Sequence, residues 1–440
     1  MKVTIIGTGY VGLVSGTCLA EFGFQVTCVD KIAEKIDKLN NSIMPIFEPG
    51  LKDLVVKNVA QGRLYFTKNL AKAVGLSDII LIAVGTPTGY STGSADLRYV
   101  FEAAQEIAPL LQGYTVIVTK STVPVGTTRQ VRDTIRVAAP KADFDVASNP
   151  EFLREGAAIA DFMNPERVVI GVESDRAKER MHTLYSSLSQ REIPLVFTNF
   201  ETAELSKYAS NTFLATKIEF INQIADLAEV CGADVQHIAH IMGLDARIGK
   251  AFLQPGPGFG GSCFPKDTRA LAAFAHERHV SVPLIDAVDS SNEARKKAMA
   301  KKIIAACGGS VRGKKLAILG LTFKANTDDM RESASLIILP ILKEAGAVLS
   351  AFDPEADITQ NIEFAGVERV PDIVTACQGA DAIVILTEWD IFKALPFEKL
   401  AEVVKERLLI DLRNLYELDN VTKAKFSYVS LGRPTVQPKY

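Results

Sequence analysis

Short apolar, β-branched runs alternate with segments of helical periodicity over the first 200 residues of the chain. The runs lie at residues 3–6, 25–29, 79–84, 115–119, 145–147 and 168–171. Strands that alternate with helical segments are typical of a parallel sheet covered by helices on both faces. The pattern therefore predicts a doubly wound α/β domain in this part of the chain.

The next segment, residues 201–231, has helical periodicity and contains neither Gly nor Pro. Its apolar residues recur at helical spacing, at Leu205, Ala209, Phe213, Phe220, Ile224 and Leu227. A helix of this length spans roughly 45 Å. We interpret it as a strut that joins two domains and packs against a second subunit. A buried helix within one domain is the alternative.

The alternation of apolar runs and helical segments resumes near residue 316. Runs at residues 316–319, 348–352, 382–386, 408–411 and 428–431 predict a second α/β domain. The 440 residues also exceed what one hydrophobic core usually serves, so at least two domains are expected.

Composition and charge narrow the possible functions. Basic and acidic residues are mixed along the chain and leave a net charge of −3, which argues against a nucleic-acid partner. The longest apolar runs are far shorter than the ~20 residues of a membrane-spanning helix. The first strand begins at residue 3 and leaves no room for a signal peptide, so we expect a cytoplasmic protein that does not bind membranes.

The cysteines and histidines do not have the spacing of a metal site. The six cysteines stand at positions 18, 28, 231, 263, 307 and 377, without the paired spacing of a zinc site or a disulfide framework. Two histidine pairs, 237 with 240 and 276 with 279, have helical spacing and are interpreted as surface or packing residues. We therefore expect no metal.

A glycine-rich motif, GTGYVG, follows the first predicted strand and precedes a helical run. Its residues Gly7, Gly9, Tyr10, Val11 and Gly12 form a candidate cofactor loop. In dinucleotide-binding proteins the first glycine permits a tight turn, the second lets the backbone approach a pyrophosphate, and the third allows close helix packing. A simple structural turn is the alternative.

An acidic residue at the end of the second strand supports the dinucleotide interpretation. Asp30 lies 18 residues after Gly12, where a carboxylate accepts hydrogen bonds from the adenosine ribose. Because this charge repels the additional phosphate of NADP, the sequence predicts NAD. Lys35 is a second candidate near the ribose or pyrophosphate, although a solvated helix lysine explains it nearly as well.

Two threonine-containing loops each follow a predicted strand. Thr86 lies in VGTP and Thr122 in STVP, at the carboxyl edge where parallel sheets bind ligands. Threonine hydroxyls at this edge can hold a phosphate, a nicotinamide or a water, but an unspecific loop explains either tetrapeptide equally well.

Residues 255–269, PGPGFGGSCFPKDTR, combine glycines with a cysteine and charged residues. Cys263 is followed closely by Lys266 and Asp267. The thiolate is the reactive form of cysteine, and a nearby cation favours it. The sequence thus predicts a nucleophile at Cys263, whereas the other five cysteines lie in apolar patterns that predict small buried side chains.

Two pairs of polar residues have i, i+4 spacing. Glu151 and Glu155, in NPEFLREG, would share a helical face and could position a water or a substrate hydroxyl. Lys207 and Asn211 would offer a cation and an amide to a developing oxyanion from the long helix. A surface helix with salt bridges explains either pair taken separately.

Five motifs occur in a specific order: GTGYVG, NPEFLREG, SKYASNTF, PGPGFGGSCFPKD and GLTFKANTDDMRES. Together they resemble the UDP-glucose 6-dehydrogenase family over nearly the full chain. The resemblance implies two Rossmann-like domains joined by a long central helix that forms a dimer core. It implies an NAD-binding domain at 1–198, a central helical dimerisation region with the cysteine loop at 199–300, and a UDP-sugar-binding domain at 301–440.

The family oxidises the C6 hydroxyl of UDP-glucose twice with two NAD, which yields UDP-glucuronate. The resemblance implies that Cys263 captures the aldehyde as a thiohemiacetal, which becomes a thioester. Relatives that oxidise GDP-mannose or UDP-N-acetylmannosamine share this plan and stay open as alternatives. A non-catalytic nucleotide-sugar sensor and a two-electron hydroxyacid dehydrogenase are further alternatives, but neither would need the thiol.

The resemblance also assigns roles to individual residues. Lys207 and Asn211 would steady the oxygen at C6, Asp267 and Thr122 would manage the hydrolytic water, and Glu155 would be an acid-base group near the nicotinamide. Further cofactor contacts are implied for Thr86, Lys266 and, across a cleft between the domains, Arg331. The implied substrate contacts are Glu151, Phe152, Leu153, Arg154, Glu155, Phe252, Leu253, Gln254, Pro255, Gly256, Gly260, Lys324, Arg413 and, from a neighbouring subunit, Arg247.

Two positions depart from the family pattern. Gln254 stands where histidine is common, and Ala325 stands where many members have proline or lysine. Both are binding-loop positions, so the departures concern the choice of sugar rather than the chemistry.

Overall fold

The computed structural model describes residues 1–87, 89, 93–359 and 361–438. The chain divides into two compact units. Unit 1 is Met1–Ser210 with Ala273–Arg278, and unit 2 is Asn211–Ala272 with His279–Tyr440. Gln360, Lys439 and Tyr440, which belong to the predicted third region, lie outside the described residues. The three predicted domain boundaries stay predictions.

Unit 1 is built on a sheet that has eight strands among the described residues. They are β1 (Lys2–Ile6), β2 (Gln25–Val29), β3 (Leu64–Thr67), β4 (Ile79–Ile82), β5 (Thr115–Thr119), β6 (Phe144–Ser148), β7 (Val168–Gly171) and β8 (Leu195–Thr198). Their spatial order is β3-β2-β1-β4-β5-β6-β7-β8. Neighbouring strands are parallel except β6 and β7, which are antiparallel.

Helices connect these strands. They are α1 (Tyr10–Glu21), α2 (Ala33–Asn40), α3 (Leu51–Ala60), α4 (Leu70–Val74), α5 (Arg98–Ile107), α6 (Thr127–Ala138), α7 (Ala158–Met163), α8 (Asp175–Leu184) and α9 (Ser186–Ser189), with a 3-10 turn at Ala108–Leu110. Alternate strand residues face two separate apolar cores. Val3 and Ile5 pack into one, whereas Ile80 and Ile82 pack into the other. The doubly wound prediction is confirmed.

Four helices follow unit 1's sheet in the chain: α10 (Phe200–Cys231), α11 (Val235–Leu244), α12 (Phe264–His276) and α13 (Pro283–Ala306). The predicted helix at 201–231 is confirmed as α10, which has 32 residues. The boundary between the two units falls within α10, after Ser210.

Unit 2 contains a second sheet, with six strands among the described residues. They are β9 (Lys315–Leu319), β10 (Val348–Phe352), β11 (Glu368–Arg369), β12 (Ala382–Ile385), β13 (Leu408–Asp411) and β14 (Ser427–Val429), in the order β11-β10-β9-β12-β13-β14. All neighbouring pairs are parallel. The accompanying helices are α14 (Ser335–Glu344), α15 (Ile373–Cys377), α16 (Asp390–Lys393), α17 (Phe397–Val403) and α18 (Leu418–Lys423), with a 3-10 turn at Ile362–Phe364.

The structure contains three strands that the apolar pattern does not predict: β3, β8 and β11. Tyr65 in β3 and Val196 in β8 are exposed, because both strands lie at the edges of their sheet. Edge strands are covered on fewer sides, so they lack the continuous apolar run of a central parallel strand. The two residues of β11 are both exposed and carry charge.

Candidate active site

The glycine loop after β1 has the geometry that a dinucleotide needs. A Cβ atom at Gly7 would lie 2.6 Å from the Ala83 carbonyl oxygen, and one at Gly12 would lie 2.1 Å from the Gly7 carbonyl oxygen. Gly9, in contrast, has open space around it and caps the N-terminus of α1. Gly7 and Gly12 are thus required for packing, and Gly9 leaves room for a phosphate at the positive end of α1.

The Asp30 carboxylate lies directly after β2, beside this loop. It accepts hydrogen bonds from the Thr8 amide at 2.9 Å, the Thr8 hydroxyl at 2.7 Å and the Ile32 amide at 3.0 Å. Partial burial works to raise the pKa of Asp30, but these hydrogen bonds and the charge of Lys35 outweigh it and hold the pKa below its usual value. Asp30 is therefore an anion next to the candidate dinucleotide loop.

The loop residue Tyr10 is tied to a buried carboxylate that sequence reasoning missed. The Tyr10 hydroxyl bonds to Glu48, and the Gly156 amide donates to that hydroxyl at 2.7 Å. Glu48 also accepts the Ala158 amide at 2.8 Å, at the start of α7. Glu48 thus fastens the end of the NPEFLREG segment to the glycine loop.

The loops that follow β4 and β5 meet at the carboxyl edge of the sheet, as predicted. The Thr86 hydroxyl donates to the Thr122 carbonyl at 2.9 Å, and the Ser121 hydroxyl donates to the Val84 carbonyl at 2.7 Å. The second loop is also held by Glu204 of α10, whose carboxylate accepts the amides of Gly126 and Thr128 at 2.6 and 2.7 Å.

The prediction that Glu151 and Glu155 share a helical face is wrong. Residues 149–154 form an irregular segment, and a turn follows at 155–156. Pro150 disfavours helical conformation at the preceding residue. The Glu151 carboxylate also accepts the Leu153 amide at 2.5 Å, a local hydrogen bond that competes with helix formation.

Glu151 forms a buried ion pair with Lys207 of α10. The Lys207 ammonium lies 3.1 Å from the carboxylate, and the two side chains are 3% and 4% exposed. Burial works to raise the pKa of Glu151, but the charges of Lys207 and Lys120 and the local hydrogen bonds hold it below its usual value. The ring of Phe152 lies 5.2 Å from the Lys207 nitrogen.

Lys120, at the end of β5, is a buried lysine that the motifs did not single out. Its ammonium donates to the Asn149 side-chain oxygen at 3.1 Å, and the Tyr185 hydroxyl donates to the same oxygen at 2.5 Å. Burial lowers the pKa of Lys120 to about 8, partly offset by the nearby charge of Glu151. Its position directly before the STVP loop was the signal that could have identified it.

In unit 2, Cys263 directly precedes the first residue of α12. The Asp267 amide donates to the Cys263 carbonyl at 2.8 Å, which is the first hydrogen bond of that helix. The Ser262 hydroxyl lies 3.5 Å from the thiol sulfur. A helix N-terminus carries partial positive charge and favours an anion such as a thiolate.

The charged residues that follow the cysteine are paired with one another. Lys266 forms an ion pair with Asp267, and Asp267 also accepts the side-chain amide of Asn211 at 2.6 Å. Lys266, the lysine predicted to favour the thiolate, is thus bonded to Asp267, and Cys263 lies at the N-terminus of α12. Asn211 and Asp267 are both buried.

The glycines of the cysteine loop permit close packing inside unit 2. A Cβ atom at Gly260 would lie 2.3 Å from the Glu332 carbonyl oxygen, and one at Gly261 would lie 2.7 Å from the Phe323 ring. The Gly261 amide also donates to the Arg331 carbonyl at 2.8 Å. The loop is thus packed against the segment that follows β9.

Two predicted phosphate-binding cations lie at the carboxyl edge of the second sheet. Arg413 donates to the carbonyls of Leu386 and Phe323 at 2.7 and 2.9 Å, and its guanidinium approaches Gly256. The Lys324 nitrogen lies 5.4 Å from the Phe323 ring centre. The structure brings Lys324, Arg413 and the loop at residues 252–256 into one region of unit 2.

The side chains of two other predicted arginines are exposed and bond to neighbouring aspartates. Arg247 is 88% exposed and pairs with Asp245 at 2.6 Å, and Arg331 is exposed and pairs with Asp329 at 2.8 Å. Their predicted contacts with a neighbouring subunit and with NAD stay predictions.

The six thiols differ in their surroundings. Cys18, Cys28, Cys307 and Cys377 are buried, and burial raises the pKa of Cys28 to about 12. The prediction that Cys231 is a buried hydrophobe is wrong, because this last residue of α10 is exposed. Cys263 is half-buried, so part of its side chain is accessible and the rest is packed against neighbouring residues.

No group of three or more His, Cys, Asp and Glu residues within the described ranges is arranged to hold a metal ion. Of the helices described, none has both the length and the apolar character to cross a membrane.

Comparison with known proteins matches the chain to the UDP-glucose/GDP-mannose dehydrogenase family in three parts. Its NAD binding domain matches residues 1–189, its central domain residues 201–294 and its UDP binding domain residues 317–418.

A UDP-glucose 6-dehydrogenase of Rhizobium meliloti (strain 1021) is 54% identical, over 99% of this chain and 100% of the relative. A solved structure of a UDP-glucose dehydrogenase from the archaeon Pyrobaculum islandicum is 35% identical with a TM-score of 0.88, over 97% of this chain and 96% of that one. The UDP-D-ManNAc dehydrogenase of Pyrococcus horikoshii is 26% identical with a TM-score of 0.85, over 98% and 99% of the two chains. The resemblance inferred from the five motifs is confirmed, and the chain belongs to the UDP-glucose/GDP-mannose dehydrogenase family.

Proposed function

We propose that the chain oxidises the C6 hydroxyl of UDP-glucose to a carboxylate with two NAD, through a covalent intermediate on Cys263. The observation that carries the proposal is the half-buried thiol at the N-terminus of α12, one turn from the Asn211–Asp267 pair. The match to the family's NAD binding domain supports the cofactor. The fully covered relative named as a UDP-glucose 6-dehydrogenase supports the substrate.

The glycine loop and Asp30 fit an NAD molecule, because Gly9 leaves open space at a helix N-terminus and Asp30 is anionic beside it. NAD, when bound, accepts a hydride from C6 in each of the two oxidations. We assign Thr86, Thr122, Lys35, Lys266 and Arg331 to its surroundings.

The first oxidation removes one proton and one hydride from the C6 alcohol. In our proposal Lys207 and Asn211 steady the oxygen, and Glu155 is the acid-base group near the nicotinamide. The buried ion pair with Glu151 supports the role of Lys207, because it fixes the direction of the ammonium.

The second oxidation proceeds on the enzyme. The Cys263 thiolate adds to C6 of the aldehyde, the carbonyl oxygen gains a proton, and the thiohemiacetal then loses a hydride and that proton to give a thioester. Water cleaves the C–S bond with help from Asp267 and Thr122, which releases the carboxylate and restores the thiol. The aldehyde is never released.

We propose that the UDP-sugar lies in unit 2 against residues 252–256, Gly260, Lys324 and Arg413, with residues 151–155 as a further wall. The two cations suit a diphosphate, which carries negative charge. UDP-glucose is favoured over UDP-N-acetylmannosamine because identity is 54% to the UDP-glucose 6-dehydrogenase and 26% to the UDP-D-ManNAc dehydrogenase.

We also propose a homodimer formed along α10. Leu205, Phe213, Phe220 and Leu227 recur on one face of the helix and are 42%, 65%, 48% and 60% exposed. An apolar stripe of this length on a single chain is typical of a protein interface. The prediction that Arg247 enters the neighbouring subunit's site rests on this dimer. We further propose a cytoplasmic location, because the six cysteines are free thiols, the form that a reducing compartment maintains.

The cofactor assignment predicts the effect of Asp30→Asn. We expect the KM for NAD to rise about tenfold, because the ribose loses a charged acceptor, and the KM for NADP to change less, because repulsion is also removed. The control is Glu34→Gln on α2, which should leave the ratio of the two KM values unchanged. Equal effects of Asp30→Asn on both cofactors would contradict the assignment.

The mechanism predicts two NADH for each UDP-glucose consumed, measured by absorbance against the amount of sugar. Cys263→Ala should bind UDP and NAD but lose acid formation by roughly 1,000-fold or more, whereas the exposed thiol variant Cys231→Ala should keep it. One NADH per sugar, or acid formation by Cys263→Ala at the rate of the unmodified protein, would rule out the covalent four-electron reaction.

The dimer predicts that Phe213→Asp raises the dissociation constant for self-association about 100-fold or more, because a charge would be buried in an apolar interface. Sedimentation velocity measures this. Val137→Asp changes an equally apolar, 82% exposed residue on α6 and should have no effect. A monomeric unmodified protein, or an unaffected Phe213→Asp dimer, would refute the proposed interface.

A further inference from the structure

We propose that Asn222, Asn292 and Arg295 are positioning residues that hold the backbone of the cysteine loop at two separate points. One point, at Gly256, sets the affinity for the UDP-sugar, and the other, at Phe259, sets the placement of the Cys263 thiol. The inference rests on the proposed function, since it assumes that residues 252–256 bind the substrate.

The first point is the Gly256 backbone, held by side chains from two helices. Its amide donates to the Asn222 side-chain oxygen of α10 at 2.9 Å, and its carbonyl accepts from Arg295 of α13 at 2.6 Å. Arg295 is 5% exposed and also donates to the Asn222 carbonyl at 3.1 Å and to Asp226 at 3.0 Å. The backbone of Gly256 is thereby fixed at both its donor and its acceptor.

The second point is the Phe259 backbone, which is held in the same manner by one residue. Its amide donates to the Asn292 side-chain oxygen at 2.8 Å, and its carbonyl accepts the Asn292 side-chain amide at 3.0 Å. Asn292 is fully buried on α13, one turn before Arg295. Gly258, between the two points, has φ of +121°, and a Cβ atom there would lie 3.0 Å from the Asn292 side-chain oxygen.

A loop with four glycines in seven residues needs such support. Glycine has the largest conformational freedom of any residue, and residues 253–260 contain neither helix nor strand. Their buried backbone groups therefore need hydrogen-bond partners outside the regular elements. Asn222, Asn292 and Arg295 supply four of these bonds, so the shape of the loop depends on them.

The two points lie beside different parts of the site. Gly256 ends the substrate segment and lies next to the Arg413 guanidinium. Phe259 lies four residues before Cys263, and its ring packs against Phe264, the first residue of α12. Loss of the first point should therefore disturb binding of the nucleotide sugar, and loss of the second should disturb the thiol.

The test uses the full chain and two measurements. Calorimetry measures UDP binding, and mass spectrometry of the Cys263 peptide measures the rate at which iodoacetamide alkylates the thiol. Arg295→Met should weaken UDP binding about tenfold and leave alkylation within about twofold. Asn292→Asp, which replaces a donor by a repelling oxygen, should change the alkylation rate and lower kcat about tenfold, with UDP binding nearly unchanged. Arg295→Lys, which keeps a cationic donor, should recover part of the UDP affinity.

The control is Asp226→Asn, because the Asp226 side chain is 60% exposed and bonds to Arg295 but has no contact with the loop among the described hydrogen bonds. It should leave both measurements unchanged. The proposal would be overturned if Arg295→Met and Asn292→Asp each lost UDP binding and alkylation equally, as a general loss of stability would produce. It would also be overturned if neither variant changed either measurement. If Arg295→Met does not fold, Arg295→Lys must show the selective loss of UDP affinity by itself.

The UDP-binding and alkylation measurements need no turnover. If the unmodified protein did not convert UDP-glucose with two NADH, the proposed function would fail, whereas the alkylation arm would still decide whether Asn292 positions the thiol.

Discussion

Burying a polar side chain costs free energy unless the side chain finds a hydrogen-bond partner, and this cost explains how α10 contacts its neighbours. The buried face of this helix carries apolar core residues such as Ile221 and also includes four polar residues that bond to distant segments. Each holds a loop: Glu204 the loop after β5, Lys207 the segment at Glu151, Asn211 the start of α12, and Asn222 the Gly256 backbone. Leaving any of these groups without its partner costs about 1–3 kcal/mol or more. Glu204 and Lys207 thus hold two segments of unit 1, and Asn211 and Asn222 hold two segments of unit 2.

The opposite face of α10 has the reverse character, since its large apolar residues are exposed. The apolar spacing recognised in the sequence therefore marks a surface stripe, while the inward face combines small and apolar residues with buried polar ones. A single amphipathic helix can thus serve the site and the proposed dimer at once. The sequence predicted an apolar face of α10 that packs outward, whereas the loops that the inward face holds became evident only from the hydrogen bonds of the structure.

The parts of the fold with strong local signals were predictable. Central strands such as β1, β4 and β5 are continuous apolar runs because both faces of a parallel sheet are covered, and α10 has no residue that breaks a helix. GTGYVG and Asp30 were recognisable because a dinucleotide imposes both the glycine spacing and the acid. Cys263 stood out because glycines and charged residues surround it, unlike the thiols in apolar patterns.

The errors and omissions arose where long-range contacts override local pattern. Glu151 and Glu155 have helical spacing, but Glu151 bonds to the Leu153 amide and to Lys207, and the segment is irregular. Lys120 looks like an ordinary strand-end lysine until its burial is known. Asn292 and Arg295 lie more than 30 residues after the loop that they hold. No local motif in the sequence predicts hydrogen bonds over such a distance along the chain.

The proposed mechanism depends on a covalent bond between Cys263 and C6 of the sugar. Its most direct test is rapid acid quenching of the enzyme during turnover of UDP-glucose and NAD, with mass spectrometry of the Cys263 peptide. Asp267→Asn, in which hydrolysis should be slowed, serves as a second sample. We predict a peptide that carries the UDP-glucuronyl group as a thioester through C6, more abundant in Asp267→Asn. Accumulation of UDP-glucuronate while the Cys263 peptide stays unmodified in both samples would contradict the proposed mechanism.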